Sequence, residues 1–344
     1  MNKIAVGFLI FLLSFYSIAF PRFSSSINTT FTYNNNLFCL SPNELTEYRF
    51  RVNPARYPYS SADDIDFTFV SRINVHFSQF TTMRVGITGH QFLVNQEKSY
   101  GVINCQLEQQ IGVFGNFLIY GIWLPNYLIR YYREFQKSNY YPCRFGERVI
   151  GLGFQRKFGV INVKPGYAFE VYHYVKPFEY YNTKVHRFSG SLDYQIRKNF
   201  TVEAGYSFRL AQAQSSLPDI SYIEHKLTAD ISSTPRVFKR FTLNTGYQFC
   251  NRKYTTGNPD DRYHYRRVDH TQVVSLQGAY RFNNFDLISG VELEWRDVNS
   301  PYEQEIEEVK EYRADRISVG IRIPLKDDSR TAKTPKVKRG IKND

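Results

Sequence analysis

The sequence predicts an all-β fold: a transmembrane antiparallel up-and-down β-barrel of about 14 strands, or 16 if an N-terminal strand and a further partner are added. Three observations carry that expectation. Runs of alternating polar and apolar residues repeat along the chain after residue 64. Short turns sharing a Phe-containing core alternate with long polar segments. Aromatic residues make up 17% of the 344 residues, with 27 Tyr and 29 Phe against 2 Trp and 2 Met, yet the mean hydropathy is −0.44. A spanning strand is apolar on one face only and takes its interfacial girdles from aromatic rings, so a polar mean and an aromatic excess belong together.

The chain opens with the positive start Met1-Asn2-Lys3, an almost wholly apolar run from Ile4 to Phe15, and small residues at Ser17-Ile18-Ala19. Residues 1–19 therefore read as a signal peptide cleaved after Ala19. The apolar run is shorter than the ~20 residues a helical span needs. Signal-directed export leads to the periplasm, the exterior or an outer membrane entered as strands. Residues 20–43 read as an N-terminal lead-in, within which Ile27–Phe38 is either an extra strand or irregular chain. The barrel is expected over 44–325, opening with a strand at Glu44–Val52 ahead of the loop Asn53–Asp63.

Six similar turns follow, at His76–Phe80, Val113–Phe117, Arg156–Val160, Arg197–Phe200, Val237–Phe241 and Arg281–Phe285. They imply twelve strands between Asp64 and about Asp297, and Tyr312–Pro324 supplies the last one. An even count puts both termini in the periplasm with the short turns, and the long segments outside. The alternation is clearest late in the chain. Val202, Ala204, Tyr206, Phe208 and Leu210 oppose Thr201, Glu203, Gly205, Ser207 and Arg209, and Ile317, Val319, Ile321 and Ile323 oppose Arg316, Ser318, Gly320 and Arg322. Period two over such lengths means strands with one apolar and one polar face. Residues 326–344, with seven Lys/Arg and three Asp, read as a basic disordered periplasmic tail.

The formal charge is +12. An exported basic chain is a poor nucleic-acid binder in practice, and its charge suits anionic head groups or anionic solutes. Cys39, Cys105, Cys143 and Cys250 match no zinc or redox spacing, and their pairing stays open. The seven His are scattered and form no metal or nucleophile motif, so no enzyme activity, cofactor or metal site is expected.

The polar strand faces carry the informative residues. On the alternating registers, the lumen is lined by Asp66, Arg72, His76, Arg84, Lys164, Glu170, Asp193, Glu203, Arg209, Lys226, Asp230, Glu292, Glu294, Arg296, Arg316 and Arg322. These charges either select solutes in a water-filled pore or brace the wall as cross-strand pairs, filling the interior. Asp260–His270 reads as the salt-bridged end of long strands beyond the membrane. The acidic run Glu303–Glu311 falls in the last outside loop, where divalent cations could bridge it to lipopolysaccharide.

Thr30-Phe31-Thr32-Tyr33-Asn34-Asn35-Asn36-Leu37-Phe38 and Leu40-Ser41-Pro42-Asn43 resemble the start of porin-like outer-membrane β-barrel proteins of Gram-negative bacteria, where a Tyr followed by Asp/Asn opens the first strand. The hairpins at Tyr280–Phe285 and Arg296–Tyr302 are similar to that group, and the resemblance spans Thr30 to Leu325. It implies an outer-membrane barrel and brings no catalytic residues. The expected function is a channel for small polar or anionic solutes. The alternative is a closed barrel that serves as a structural or surface-export and assembly partner. Expected partners are outer-membrane lipid and lipopolysaccharide, the solutes themselves, and the barrel-assembly machinery during biogenesis.

Overall fold

The computed structural model describes residues 21–134, 139–235, 238–302, 306 and 310–325. The expected signal peptide, the basic tail and most of the acidic run at 303–311 lie outside the described residues. Among the described residues, fourteen strands follow one another around the wall: β1 Arg22–Asn34, β2 Asp64–His76, β3 Thr81–Phe92, β4 Tyr100–Ile111, β5 Gly115–Arg133, β6 Tyr140–Phe158, β7 Ile161–Tyr174, β8 Thr183–Arg197, β9 Phe200–Ala213, β10 Tyr222–Ser233, β11 Phe241–Tyr254, β12 Val268–Arg281, β13 Asp286–Asn299 and β14 Tyr312–Leu325. Each pairs antiparallel with its chain neighbours, and β1 pairs with β14 from Ser25↔Leu325 to Asn34↔Arg316. Closure leaves no free sheet edge, which is the condition for strands to cross a bilayer.

The six Phe-marked turns all join hairpins at the same end, and the long connections all lie at the other. Gly115 shows what one short turn demands. Its φ is +125°, and an added Cβ would fall 2.2 Å from the Gln155 carbonyl oxygen. Only glycine takes that conformation at such close approach.

The N-terminal segment departs from expectation in two ways. The first strand is Arg22–Asn34, so the barrel begins inside the segment read as a lead-in rather than at residue 44. Residues read as a strand at Glu44–Val52 instead form the helix α1, Pro42–Arg49. The cause is a capping box: the Ser41 hydroxyl accepts from Glu44 N at 3.1 Å, and the Glu44 carboxylate accepts from Ser41 N at 3.1 Å. Pro42 at the first helical position favours the same outcome. β1 was ambiguous because its outward row, Phe23, Ser25, Ile27, Thr29, Phe31 and Tyr33, is only half apolar. The total remains fourteen because one strand replaces the other.

One face of the wall is apolar and exposed: Phe31, Ile73, Ile87, Ile150, Phe188, Leu192, Leu227, Leu276, Val291, Ile317 and Val319 all lie on it. The opposite face carries Ser, Thr, Asn, Gly and the charged side chains. Tyr120 lies flat on that inner face. A Cβ on Gly151, its partner across the β5–β6 ladder, would meet the Tyr120 ring at 2.1 Å. The ring thus crosses a strand without a side chain, and its hydroxyl accepts a 3.4 Å hydrogen bond from Arg187 on β8.

Candidate functional site

Every residue of the expected lumen set sits on the strand face opposite the apolar rows, because register partners such as Arg72↔Gly86, Asp193↔Glu203 and Arg316↔Glu292 share that face. The structure divides them into two zones. Toward the short turns, charged side chains remain open to solvent inside the barrel: Arg84 is 48% exposed, Lys164 35%, Glu203 39% and Glu292 41%. Their pairs run between neighbouring strands. Arg84 meets Glu108 at 2.7 Å, and Lys164 meets Asp193 at 2.8 Å and Glu203 at 3.6 Å. Arg316 pairs with Glu292 and, at 2.7 Å, with Glu294. Lys226, Asp230, Arg72 and Arg322 share this zone, with register partners Ser207, Glu203, Ser26 and Asp286. His76 Nδ1 lies 3.0 Å from the Thr82 hydroxyl beside a short turn, whereas Asp66, 2.7 Å from His90, lies at the long-loop end of β2.

Toward the long loops the interior is packed. The β1–β2 connection folds into the mouth. Phe38 stacks on Tyr59 with ring centroids 3.5 Å apart, and Leu40 and Ser41 are buried beside them. Asn36 fixes the fold of this segment by donating to the carbonyls of Leu40 and Arg313, both at 2.8 Å, and accepting from Leu40 N at 2.8 Å. Lys98, from the β3–β4 connection, donates to the Leu128 and Ile129 carbonyls at 2.6 and 2.7 Å, with its ammonium over the Phe38 and Tyr127 rings. Burial lowers its pKa to about 7. Burial likewise pushes Lys310, seated over Tyr132 and Tyr263, well below the usual lysine range.

Between these groups lies a cavity of about 860 Å³. Its walls present the guanidinium groups of Arg130, Arg209, Arg252, Arg267 and Arg296 and the rings of Tyr132, Tyr172, Tyr174, Tyr222 and Tyr254. The carboxylates that balance these cations sit behind them. Glu170 is fully buried, accepting from Arg187 at 3.0 Å and Arg209 at 3.5 Å. Glu224 accepts from Arg209 at 3.4 Å and Arg252 at 2.6 Å. Three guanidinium groups thus share two carboxylates. Arg267 and Arg296 share the single carboxylate of Asp269, with Arg267 Nε at 2.7 Å. Arg209, Arg252, Arg267 and Arg296 thus line the cavity with Glu170, Glu224 and Asp269 behind them, while Glu134, Asp260 and Asp261 line the same cavity.

Glu170, Arg209 and Arg296 are therefore brought together with residues the sequence reading left out. Arg187, Glu224, Arg252 and Asp269 lie on the same strand faces as Ser189, Lys226, Cys250 and Thr271, and continuing the alternation by one step finds each of them. Glu44, Lys98, Arg267 and Lys310 sit in connections, where no period announces direction. The stretch Asp260–His270 does not project as a strand end. Its Asp261 accepts from Asp219 N at 2.7 Å, and its Asp261, His264 and Arg267 are buried against the mouth. All four cysteines are free thiols, with Cys143 buried.

A closed antiparallel barrel with an apolar outer belt, a polar lumen, short turns at one end and folded-in loops at the other defines the porin-like class of outer-membrane barrel folds. Similar solved structures are the anion-selective porin from Comamonas acidovorans, at 10% identity over 89% of this chain and 99% of that one with a TM-score of 0.45, and the outer membrane channel DcaP of Acinetobacter baumannii, at 7% identity over 89% and 97% with a TM-score of 0.48. OprD of Pseudomonas aeruginosa is similar at 9% identity over 88% and 95%, with a TM-score of 0.40. These likenesses concern the fold alone. No protein-family model and no curated relative matches the sequence.

Proposed function

We infer that the chain is an outer-membrane channel for small polar solutes, with a preference for anionic ones set at its outer vestibule. The carrying observation is the arrangement of the vestibule ion pairs. Arg209, Arg252, Arg267 and Arg296 face the 860 Å³ cavity, while Glu170, Glu224 and Asp269 are buried behind them. A solute carboxylate entering that space meets donors already held in place, so little side-chain ordering is required. Beyond it, the solvent-open Lys164, Glu203, Arg84 and Glu292 present both signs, which suits a passage that does not trap a charged solute.

Swelling of liposomes loaded with the refolded protein tests this reading. A sugar acid should enter faster than a neutral sugar of the same size, and the difference should shrink at high salt as the field is screened. One observation favours the second reading, a closed barrel acting as a structural or export partner: the β1–β2 connection packs Phe38, Leu40 and Glu44 into the mouth with almost no exposure. That reading predicts no swelling with either sugar.

A further inference from the structure

The outer surface carries a repeated feature that transport does not use. β7, β9 and β11 each contain Gly-Tyr-x-Phe, at Gly166–Phe169, Gly205–Phe208 and Gly246–Phe249. The next strand carries an outward His in each case: His186, His225 and His270. Two of these units are superimposable in their contacts. The Tyr167 hydroxyl lies 2.8 Å from His186 Nδ1 and the Tyr206 hydroxyl 2.8 Å from His225 Nδ1, and Phe169 and Phe208 lie 5.3 Å from those imidazoles. In the third, Asn251 lies 3.2 Å from His270 Nδ1 and Phe249 stacks on the ring. With Nδ1 engaged by the phenol, Nε2 is the ring nitrogen left on the edge away from the tyrosine.

Cations join these histidines along the same rungs. Arg148 and Lys184 flank Val171 on one rung, and His186 and Lys253 lie on the next, with Leu210 and Ile223 between them. Arg148, Lys184, His186, His225 and Lys253 are all exposed. Among the described residues, the outward positions of β6 to β11 hold no carboxylate. Below the cations on β8 the same face is apolar through Phe188, Leu192, Tyr194 and Ile196. The ten residue steps from Tyr194 up to Lys184 rise about 25 Å for a tilted strand, the height of the apolar band of an outer-membrane barrel. The cations therefore stand at the outer head-group level. They spread over five strand spacings, about 24 Å, which is wider than a single phosphate can span.

We propose that this surface, Arg148, Lys184, His186 and Lys253, is a docking site for the phosphates of an outer-leaflet lipopolysaccharide. The proposal rests on the outer-membrane reading but not on conduction. The phosphate oxygens accept from the guanidinium, the two ammonium groups and the His186 imidazole, while acyl chains lie on the Phe188–Leu192 strip below. A second copy of this chain is the less favoured occupant, because pairing the same cationic surface would bring like charges together.

The test is binding of purified lipopolysaccharide to the detergent-solubilised full chain by native mass spectrometry, beside phosphatidylglycerol and dephosphorylated lipid A. Wild type should retain lipopolysaccharide at least about tenfold more strongly than the dephosphorylated lipid, and the triple variant R148Q/K184Q/K253Q should lose that margin. His186→Phe keeps the aromatic packing and should weaken binding a few-fold, which a merely structural role would not do. Heat-modified gel mobility shows that each variant remains a folded barrel. Equal retention of phosphorylated and dephosphorylated lipid, or unchanged retention by the triple variant, overturns the proposal. So does preferential retention of phosphatidylglycerol, or a triple variant that changes oligomeric mass with lipid binding intact. A protein that binds as expected yet fails to conduct keeps this proposal and removes the transport reading.

Discussion

Arg130 on β5 holds Glu44 on α1 through two parallel hydrogen bonds, 2.8 Å from Nη1 to Oε2 and 3.0 Å from Nη2 to Oε1. Both side chains are buried, and Arg56 adds a third bond to the same carboxylate at 2.7 Å. The pair ties the folded-in β1–β2 connection to the longest part of the wall. Burial alone would raise the Glu44 carboxyl, but the Arg130 charge and hydrogen bonds more than offset it and hold its pKa below the ordinary range.

Glu44→Gln should free this connection without opening the barrel. It leaves the Arg130 cation buried with no carboxylate opposite, a change that costs about 3–5 kcal/mol for a buried pair. The fourteen-strand ladder does not pass through α1, so heat-modified mobility should persist while limited proteolysis cuts near Arg49–Arg56 and unit conductance rises. Replacing both partners by apolar residues of similar size should restore protease resistance.

Acid should mimic that substitution. A carboxyl whose folded pKa lies below its unfolded value stabilises the fold above the unfolded pKa, about 4.3, and the contribution is lost as pH falls through the lower folded value. Protease sensitivity of residues 35–62 should therefore appear below about pH 4, and Glu44→Gln should show it already at pH 7.

Lys98 has the opposite sign. Its pKa of about 7 lies below the unfolded lysine value, so the unfolded chain holds more protons between the two, and the local stability of the mouth rises with pH across that window. The same titration removes one positive charge from the vestibule above about pH 7. Anion preference, read as a reversal potential in a salt gradient, should fall between pH 6 and 8 in wild type and fall less in Lys98→Met, where Lys310 is the remaining lysine of the cavity with a lowered pKa.

Gly151→Val should push the Tyr120 ring from its seat, since the new Cβ would overlap it. Overpacking of this kind costs about 1–3 kcal/mol. Losing the Tyr120–Arg187 hydrogen bond also frees Arg187 beside Glu170. A lowered melting temperature with altered conductance is the expected result, and Gly151→Ala should fall between wild type and Val.

The sequence showed the barrel because its pattern is repetitive: the six Phe-marked turns recur once per hairpin, and apolar rows such as Phe188 to Ile196 repeat with period two. It misplaced the first strand because β1 satisfies that rule weakly on its outward face, and because Glu44–Val52, chosen for its place just ahead of the loop Asn53–Asp63, begins inside a capping box at Ser41–Glu44. Inward charges followed from parity, so Glu170, Arg209 and Arg316 were legible, and Arg187 and Arg252 would have been with the alternation carried one step further. The vestibule was not legible. Glu44, Lys98 and Arg267 come from connections whose inward course is set by contacts distant in sequence, such as Asn36 with the Arg313 carbonyl and Tyr131 N with the Tyr59 hydroxyl.

Arg252→Gln removes one of the cations that share Glu224, leaving that carboxylate with Arg209 as its ion-pair partner among the described residues. The vestibule field then turns less positive, and chloride permeability relative to potassium should fall several-fold, while Arg252→Lys should retain most of it because the charge remains.

The central claim is that the lumen conducts and that its guanidinium-lined outer vestibule sets the sign of selectivity. Single-channel recording of the refolded wild-type chain in a planar bilayer under a potassium chloride gradient tests it most directly. The account predicts discrete openings with a reversal potential displaced toward that of chloride. Silence at every applied voltage, or a reversal potential displaced toward that of potassium, would contradict it.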